Sequence, residues 1–226
     1  MRIFVTGGAG YVGSACLRHI AAQGWEVCAY DNLGQGHAAA LDGHPLVGGD
    51  LAQIERLTNA LREFAPDAVM HFAASTYVGE SVTNPDLYYR NNVQGTLNLL
   101  NAMRTVGVQR LLFSSTCAVY GASGNAALDE GTPFDPVSPY ARSKLAVEWM
   151  IRDFAAAYGM DFTILRYFNA AGACSSGHFG EAHHPETHLI PLVLQVPLGQ
   201  RDTITVFGDD YPTPDGTCIR DYVHVD

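Results

Sequence analysis

Eight residues near the start, Thr6-Gly7-Gly8-Ala9-Gly10-Tyr11-Val12-Gly13, constrain the fold more than any other stretch of this chain. They follow the apolar run Ile3-Phe4-Val5 and open a helical pattern near Ser14 to Gln23, so a glycine-rich turn joins a strand to a helix. The overlapping T-G-x-x-G-x-x-G and G-x-G-x-x-G spacings let a backbone approach a pyrophosphate seated on the helix N-terminal amides, with Gly7, Gly10, Tyr11, Val12 and Gly13 as the candidate contacts. Glu26-Val27-Cys28-Ala29-Tyr30 returns as a second strand and completes a βαβ unit. Asp31 ends that strand, 18 residues past Gly13. A carboxylate there accepts hydrogen bonds from ribose hydroxyls and repels a 2'-phosphate, which favours NAD over NADP.

The same alternation continues. Ile54, Leu57, Leu61 and Phe64 recur at helical spacing, Pro66 stops that helix, and Ala68 to Phe72 reads as a third strand. Pro85 suits the first turn of a long helix whose apolar face is Val93, Leu97, Leu100 and Met103; Gly107 closes it before a fourth strand at Arg110 to Ser114. A helix from Ser138-Pro139 to about Tyr158 ends at Gly159, and Phe162 to Arg166 is the fifth strand. Strands separated by helices predict an α/β chain with a Rossmann-type doubly wound parallel sheet. After Asn169 the composition shifts to glycines, small residues and His178, His183 and His184, then the apolar run Leu189 to Leu194 and a strand near Ile204-Thr205-Val206. The expected organisation is a dinucleotide-binding domain over 1–169 and an incomplete, smaller substrate domain over 170–226, interleaved with the last strands of the sheet.

Composition removes several classes of function. Twenty-three acidic against thirteen basic residues leave a formal charge of -10, which argues against nucleic-acid backbones and anionic membranes as partners. No apolar run reaches the roughly 18 residues of a membrane span, and the N-terminus carries no signal-peptide pattern, so the expected location is cytoplasmic. Five scattered cysteines without a C-x-x-C pair read as free thiols. The spacing of His178, His183, His184 and His188 matches no familiar ligand set on one helix face, and the expectation is no metal.

A second constellation is Tyr140-Ala141-Arg142-Ser143-Lys144 together with Thr116 at the end of the fourth strand. Residues four apart share a helix face, so the Lys144 ammonium is expected beside the Tyr140 phenol, favouring its ionised form. Free tyrosine titrates near pH ~10, and a neighbouring cation is the simplest way to make it a base at neutral pH. Such a pair also occurs on ordinary exposed helices; the glycine loop and Thr116 give it weight here.

These motifs, with Gly49-Asp50-Leu51, His71-Phe72-Ala73-Ala74, Asn91-Asn92-Val93-Gln94-Gly95-Thr96, Ser114-Ser115-Thr116, Val119-Tyr120-Gly121, Arg166-Tyr167-Phe168-Asn169 and Arg220-Asp221-Tyr222-Val223-His224-Val225, resemble the extended short-chain dehydrogenase/reductases, and among them the UDP-glucose 4-epimerases. The resemblance runs in order through the whole chain. It implies Tyr140, Lys144 and Thr116 as catalytic groups. Asp31, Asn32, Asp50, Leu51, Phe72, Ala73, Ala74, Asn91, Lys144 and Phe168 are the implied NAD contacts. Thr116, Tyr140, Asn169, His188, Leu189, Phe207 and Arg220 are the implied contacts to a UDP-sugar. Thr76 replaces a lysine that contacts NAD in some members, and His188 stands where an asparagine can touch the nucleotide. The implied reaction oxidises the sugar at C4, lets the 4-keto sugar turn, and returns the hydride to the other face. A homodimer through helices at 85–106 and 138–158 is also implied. The dehydratase branch places Asp-Glu after the active-site threonine, where this chain has Cys117-Ala118. The remaining alternatives are 4-epimerisation of a UDP-N-acetylhexosamine or UDP-pentose, and a non-catalytic NAD-binding protein of the same fold. Because family members continue past the R-D-Y-x-H-V segment into another helix, the chain reads as a fragment, able to bind NAD but weak in turnover until extended.

Overall fold

The computed structural model describes residues 1–121 and 127–226. They form two compact units, Met1–Tyr167 and Phe168–Asp226.

The first unit contains β1 (Arg2–Thr6), α1 (Tyr11–Ala22), β2 (Glu26–Asp31), β3 (Leu46–Gly48), α2 (Ile54–Phe64) and β4 (Ala68–His71). It continues with α3 (Val78–Thr83), α4 (Pro85–Tyr88), α5 (Gly95–Val106), β5 (Arg110–Ser114), α6 (Pro139–Tyr158) and β6 (Asp161–Leu165). All six strands pair in parallel in the order β3-β2-β1-β4-β5-β6, the Rossmann arrangement that the sequence predicts. Side chains alternate across the sheet, so β1 sends Phe4 to one face and Ile3 and Val5 to the other. Phe4, Tyr30, Val69, Leu111 and Phe113 pack with Leu57 and Leu61 of α2, Leu99 and Met103 of α5, and Val147 and Ile151 of α6. On the opposite face Ile3, Val5, Val27 and Ala29 pack with Leu17 and Ile20 of α1. A sheet covered on both faces needs strands apolar throughout, which is why β1 reads as an unbroken hydrophobic run.

Helix ends follow local chemistry. Ser138 caps α6 by accepting a hydrogen bond from the Ala141 amide at 3.1 Å, and Pro139 fills its first turn. Downstream of α2, Ala65 takes a left-handed conformation before Pro66.

Three features differ from the sequence expectation. Leu46–Gly48 is a sixth strand, too short to show a period of two. The long helix expected from Pro85 is interrupted at Tyr89–Gln94 by a π turn. Its extra residue per turn carries no hydrophobic signature and turns Asn92 inward, where it is buried. The strand expected near Ile204-Thr205-Val206 does not form; that stretch lies outside regular elements, with Val206 exposed. The second unit instead pairs β7 (Asn169–Ala171) in parallel with β8 (Tyr222–His224), and the apolar run becomes α7 (Leu189–Gln195), none of whose residues is buried. β-branched residues at 204–206 favour a strand, but a strand exists only where a partner edge accepts its hydrogen bonds.

Candidate active site

The sheet order reverses between β1 and β4, and the turns leaving these two strands come into direct contact. The Phe72 and Ala73 amides donate to the Thr6 carbonyl at 2.8 and 3.1 Å. Gly7 sits at φ +71°, and a Cβ there would lie 2.4 Å from the Ala73 nitrogen; a Cβ on Gly13 would lie 2.1 Å from the Gly7 oxygen. These two positions admit only glycine, for packing of the loop itself. Gly10 is the N-cap of α1 and offers no side-chain oxygen to its first-turn amides.

Asp31 is buried at the end of β2. One carboxylate oxygen accepts from the Ala9 amide at 3.0 Å and the other from the Leu33 amide at 2.8 Å, tying the glycine loop to the second strand. The Asn32 amide donates to Asp50 at 2.7 Å, so these candidate cofactor residues share one edge of the crevice. Leu51 is buried behind them, its carbonyl accepting from Asn98 at 2.9 Å. On the other side, the π turn lets Asn92 accept from the Ser75 amide at 2.8 Å and donate to the Ser75 carbonyl and the Ser143 hydroxyl, each at 3.0 Å. Asn91 donates to the Ser75 hydroxyl at 3.2 Å. The loop carrying Ala73 and Ala74 is thereby fastened to α6.

Tyr140, Lys144 and Glu148 occupy successive turns of one face of α6. Thr116, just past β5, places its hydroxyl beside the Tyr140 phenol. Burial pushes the phenol up to about 12, partly offset by the Thr116 hydroxyl. The Lys144 ammonium lies 4.4 Å from the centre of the Phe113 ring. The sequence expectation of a phenol depressed by its lysine neighbour is therefore not met in this structure, because desolvation outweighs the stabilising contacts. Burial also lowers Lys144 to about 7, opposed by Glu148.

Sequence reasoning assigned no role to Glu148, Arg166, Ser115 or His71, and the structure places all four beside these groups. Glu148 has no exposed side-chain surface. It accepts from Arg166 Nε at 2.9 Å and Nη2 at 2.6 Å, and from the Ser115 hydroxyl at 2.6 Å. Arg166 also donates to the Tyr120 hydroxyl at 2.6 Å. The pair fixes the residue preceding Thr116, while the Ser115 and Cys117 amides bond to the carbonyls of Leu165 and Tyr167. A glutamate four residues beyond Lys144 on the face that buries Val147 and Ile151 is the signal that could have revealed it. His71 bridges Thr6 and Thr96, at 2.6 and 2.8 Å. Because the Thr96 hydroxyl already donates to the Asn92 carbonyl, it must accept from His71 Nε2, leaving Nδ1 to accept from Thr6. Burial and Lys144 hold this imidazole neutral, down to about 3.

Phe168, Asn169, His188, Leu189, Phe207 and Arg220 belong to the second unit. Asn169 donates to the Asp221 carbonyl at 2.8 Å and His188 contacts two carboxylates. Leu189, Phe207 and Arg220 are exposed.

Removing one partner of a buried ion pair strands the other charge. Glu148→Gln should therefore cost about 3–5 kcal/mol of stability. Urea denaturation measures this, and a loss below about 1 kcal/mol would show that the Arg166 charge finds water or another partner.

The chain matches the NAD dependent epimerase/dehydratase family model over residues 3–226. A UDP-glucose 4-epimerase of Halalkalibacterium halodurans is 49% identical over 225 residues, which is 100% of this chain and 67% of that relative. The crystal structure of UDP-glucose 4-epimerase from Brucella ovis in complex with NAD is 50% identical, with a TM-score of 0.95 over 99% of this chain and 69% of that one. The Bifidobacterium longum UDP-glucose 4-epimerase in complex with NAD+ and UDP is 36% identical, with a TM-score of 0.96 over 100% of this chain and 70% of that one. The chain thus spans about two thirds of the length of the curated relatives it matches. On this evidence the protein belongs to the NAD-dependent epimerase/dehydratase family.

Proposed function

We propose that the protein interconverts UDP-glucose and UDP-galactose by reversible oxidation at C4. The observation that carries this reading is Tyr140 with the Thr116 hydroxyl beside its phenol and Lys144 one turn on, in the unit that also holds the glycine loop and Asp31. The residues fit NAD: a glycine loop opening a helix without a side-chain cap suits a pyrophosphate, and the Asp31 carboxylate suits an adenosine ribose. Bound NAD supplies a hydride acceptor and donor and a positive ring that favours a nearby phenolate. Gly7, Gly10, Tyr11, Val12 and Gly13 would hold the diphosphate, and Asp31, Asn32, Asp50 and Leu51 the adenosine end. Phe72, Ala73, Ala74, Asn91, Lys144 and Phe168 would line the rest.

Tyr140 takes the proton of the sugar 4-hydroxyl through its phenol oxygen, and Thr116 bonds the same oxygen and relays the proton. Lys144 holds the nicotinamide ribose. Asn169, His188, Leu189, Phe207 and Arg220 would hold the UDP part, with Arg220 on the diphosphate. In this reading residues 1–169 form the cofactor domain and 170–226 part of the sugar domain. The protein acts as a homodimer in the cytoplasm. Exposed Val82, Leu87, Tyr89 and Trp149 on α3, α4, the π turn and α6 support a partner surface there, and among the described residues no helix is long and apolar enough to cross a membrane.

Tyr140→Phe keeps the ring and removes the proton acceptor, so conversion of UDP-galactose by the full-length protein should fall roughly 100-fold or more while NAD stays bound. Near-normal turnover excludes Tyr140 as the base. Asp31→Ala should narrow the preference for NAD over NADP, read by titrating each dinucleotide. If the unmodified protein binds both equally, Asp31 does not face the ribose.

A further inference from the structure

Four side chains in the loop before α7 converge although their linear pattern, E-x-H-x-x-E-x-H, lies on no helix face. His188 Nδ1 is 2.9 Å from Glu181 Oε1 and 2.9 Å from Glu186 Oε1. His183 Nδ1 is 3.5 Å from Glu181 Oε1 and 3.6 Å from Glu186 Oε2. One ligand atom from each residue falls within 4.8 Å of the others. A tetrahedral ion with bonds of about 2.0–2.1 Å needs ligand atoms roughly 3.3 Å apart, so the widest separation, 4.8 Å, must close on metal binding while the carboxylate–imidazole distances lie near that value. The two glutamate side chains are only 8% and 9% exposed. Their carboxylate–imidazole pairs run to these same two histidines. Glu186 Oε1 also accepts from the Thr187 and His188 amides, at 2.8 and 2.9 Å, which orients the carboxylate and leaves Oε2 towards His183.

We propose that Glu181, His183, Glu186 and His188 bind one divalent transition-metal ion of the zinc type, which staples the loop preceding α7. Two carboxylates and two neutral imidazoles around a divalent cation sum to zero charge. The two imidazole rings lie with their centres 4.8 Å apart. Two imidazoles with two carboxylates favour zinc over magnesium or calcium, which prefer all-oxygen shells of six or more ligands. Four protein ligands make the site structural and closed. The sequence expectation of no metal weighed the histidine spacing along a helix face, whereas the loop brings His183 and His188 together with two glutamates. The inference rests on the loop geometry and not on the epimerase reading, with which it shares only His188.

The test is made on the unmodified chain after chelation and dialysis. Addition of Zn2+ or Mg2+ followed by gel filtration and elemental analysis should leave one zinc per chain and no magnesium. With Co2+ as probe, the visible spectrum should show the intense bands of four-coordinate cobalt without thiolate charge-transfer absorption in the near ultraviolet. Glu181→Gln and His183→Ala should each weaken zinc binding at least tenfold with unchanged circular dichroism. Zinc well below one equivalent, a weak octahedral cobalt spectrum, or thiolate bands would overturn the proposal. Should either variant misfold, the cobalt spectrum of the unmodified protein decides the question by itself.

Discussion

The first unit depends on the close passage of two turns at the carboxyl edge of its sheet. β1 and β4 are neighbours whose onward connections leave in opposite directions, so a crevice must open between them. Gly7 fits against the Ala73 backbone only without a side chain, and Asp31 pins the following loop from the second strand. The α1 terminus is aimed by these contacts. Other features of the crevice, from the Asp31–Asp50 edge to the Asn92 clasp on Ser75, are arranged around that fixed approach.

A second constraint acts from within α6. Tyr140, Lys144 and Glu148 stack along one helix face, and the buried Glu148–Arg166 pair joins that face to Ser115 and thus to the backbone carrying Thr116. A buried ion pair is no guarantee of net stability, but it demands a fixed geometry. Here it fixes the distance between the helix that bears the phenol and the strand end that bears Thr116. The same burial that orders the site raises Tyr140 and lowers Lys144, moving both away from their solution behaviour.

Much of this was legible in the sequence because it rests on local signals. The glycine loop, the Ser138-Pro139 cap and the 3.6-residue period of Leu57 and Leu61 each specify their own conformation. The features that were not legible depend on partners distant in sequence. β3 has three residues and is defined by pairing with Ala29, Tyr30 and Asp31. The π turn shows only in what it does to Asn92, and the role of Glu148 only once Arg166, eighteen residues on, lies against it. In the second unit, β-branched residues at 204–206 suggested a strand, yet β7 found its partner at 222–224 instead.

In the proposed reaction one crevice holds both the proton acceptor and the cofactor for a reversible oxidation at C4. Its most direct test follows a label at that carbon. UDP-galactose carrying deuterium at C4, incubated with the full-length protein and followed by proton NMR, should give UDP-glucose that retains the deuterium at C4, since the hydrogen never leaves the site. Loss of the label to solvent, or recovery of the substrate unconverted, would contradict the account.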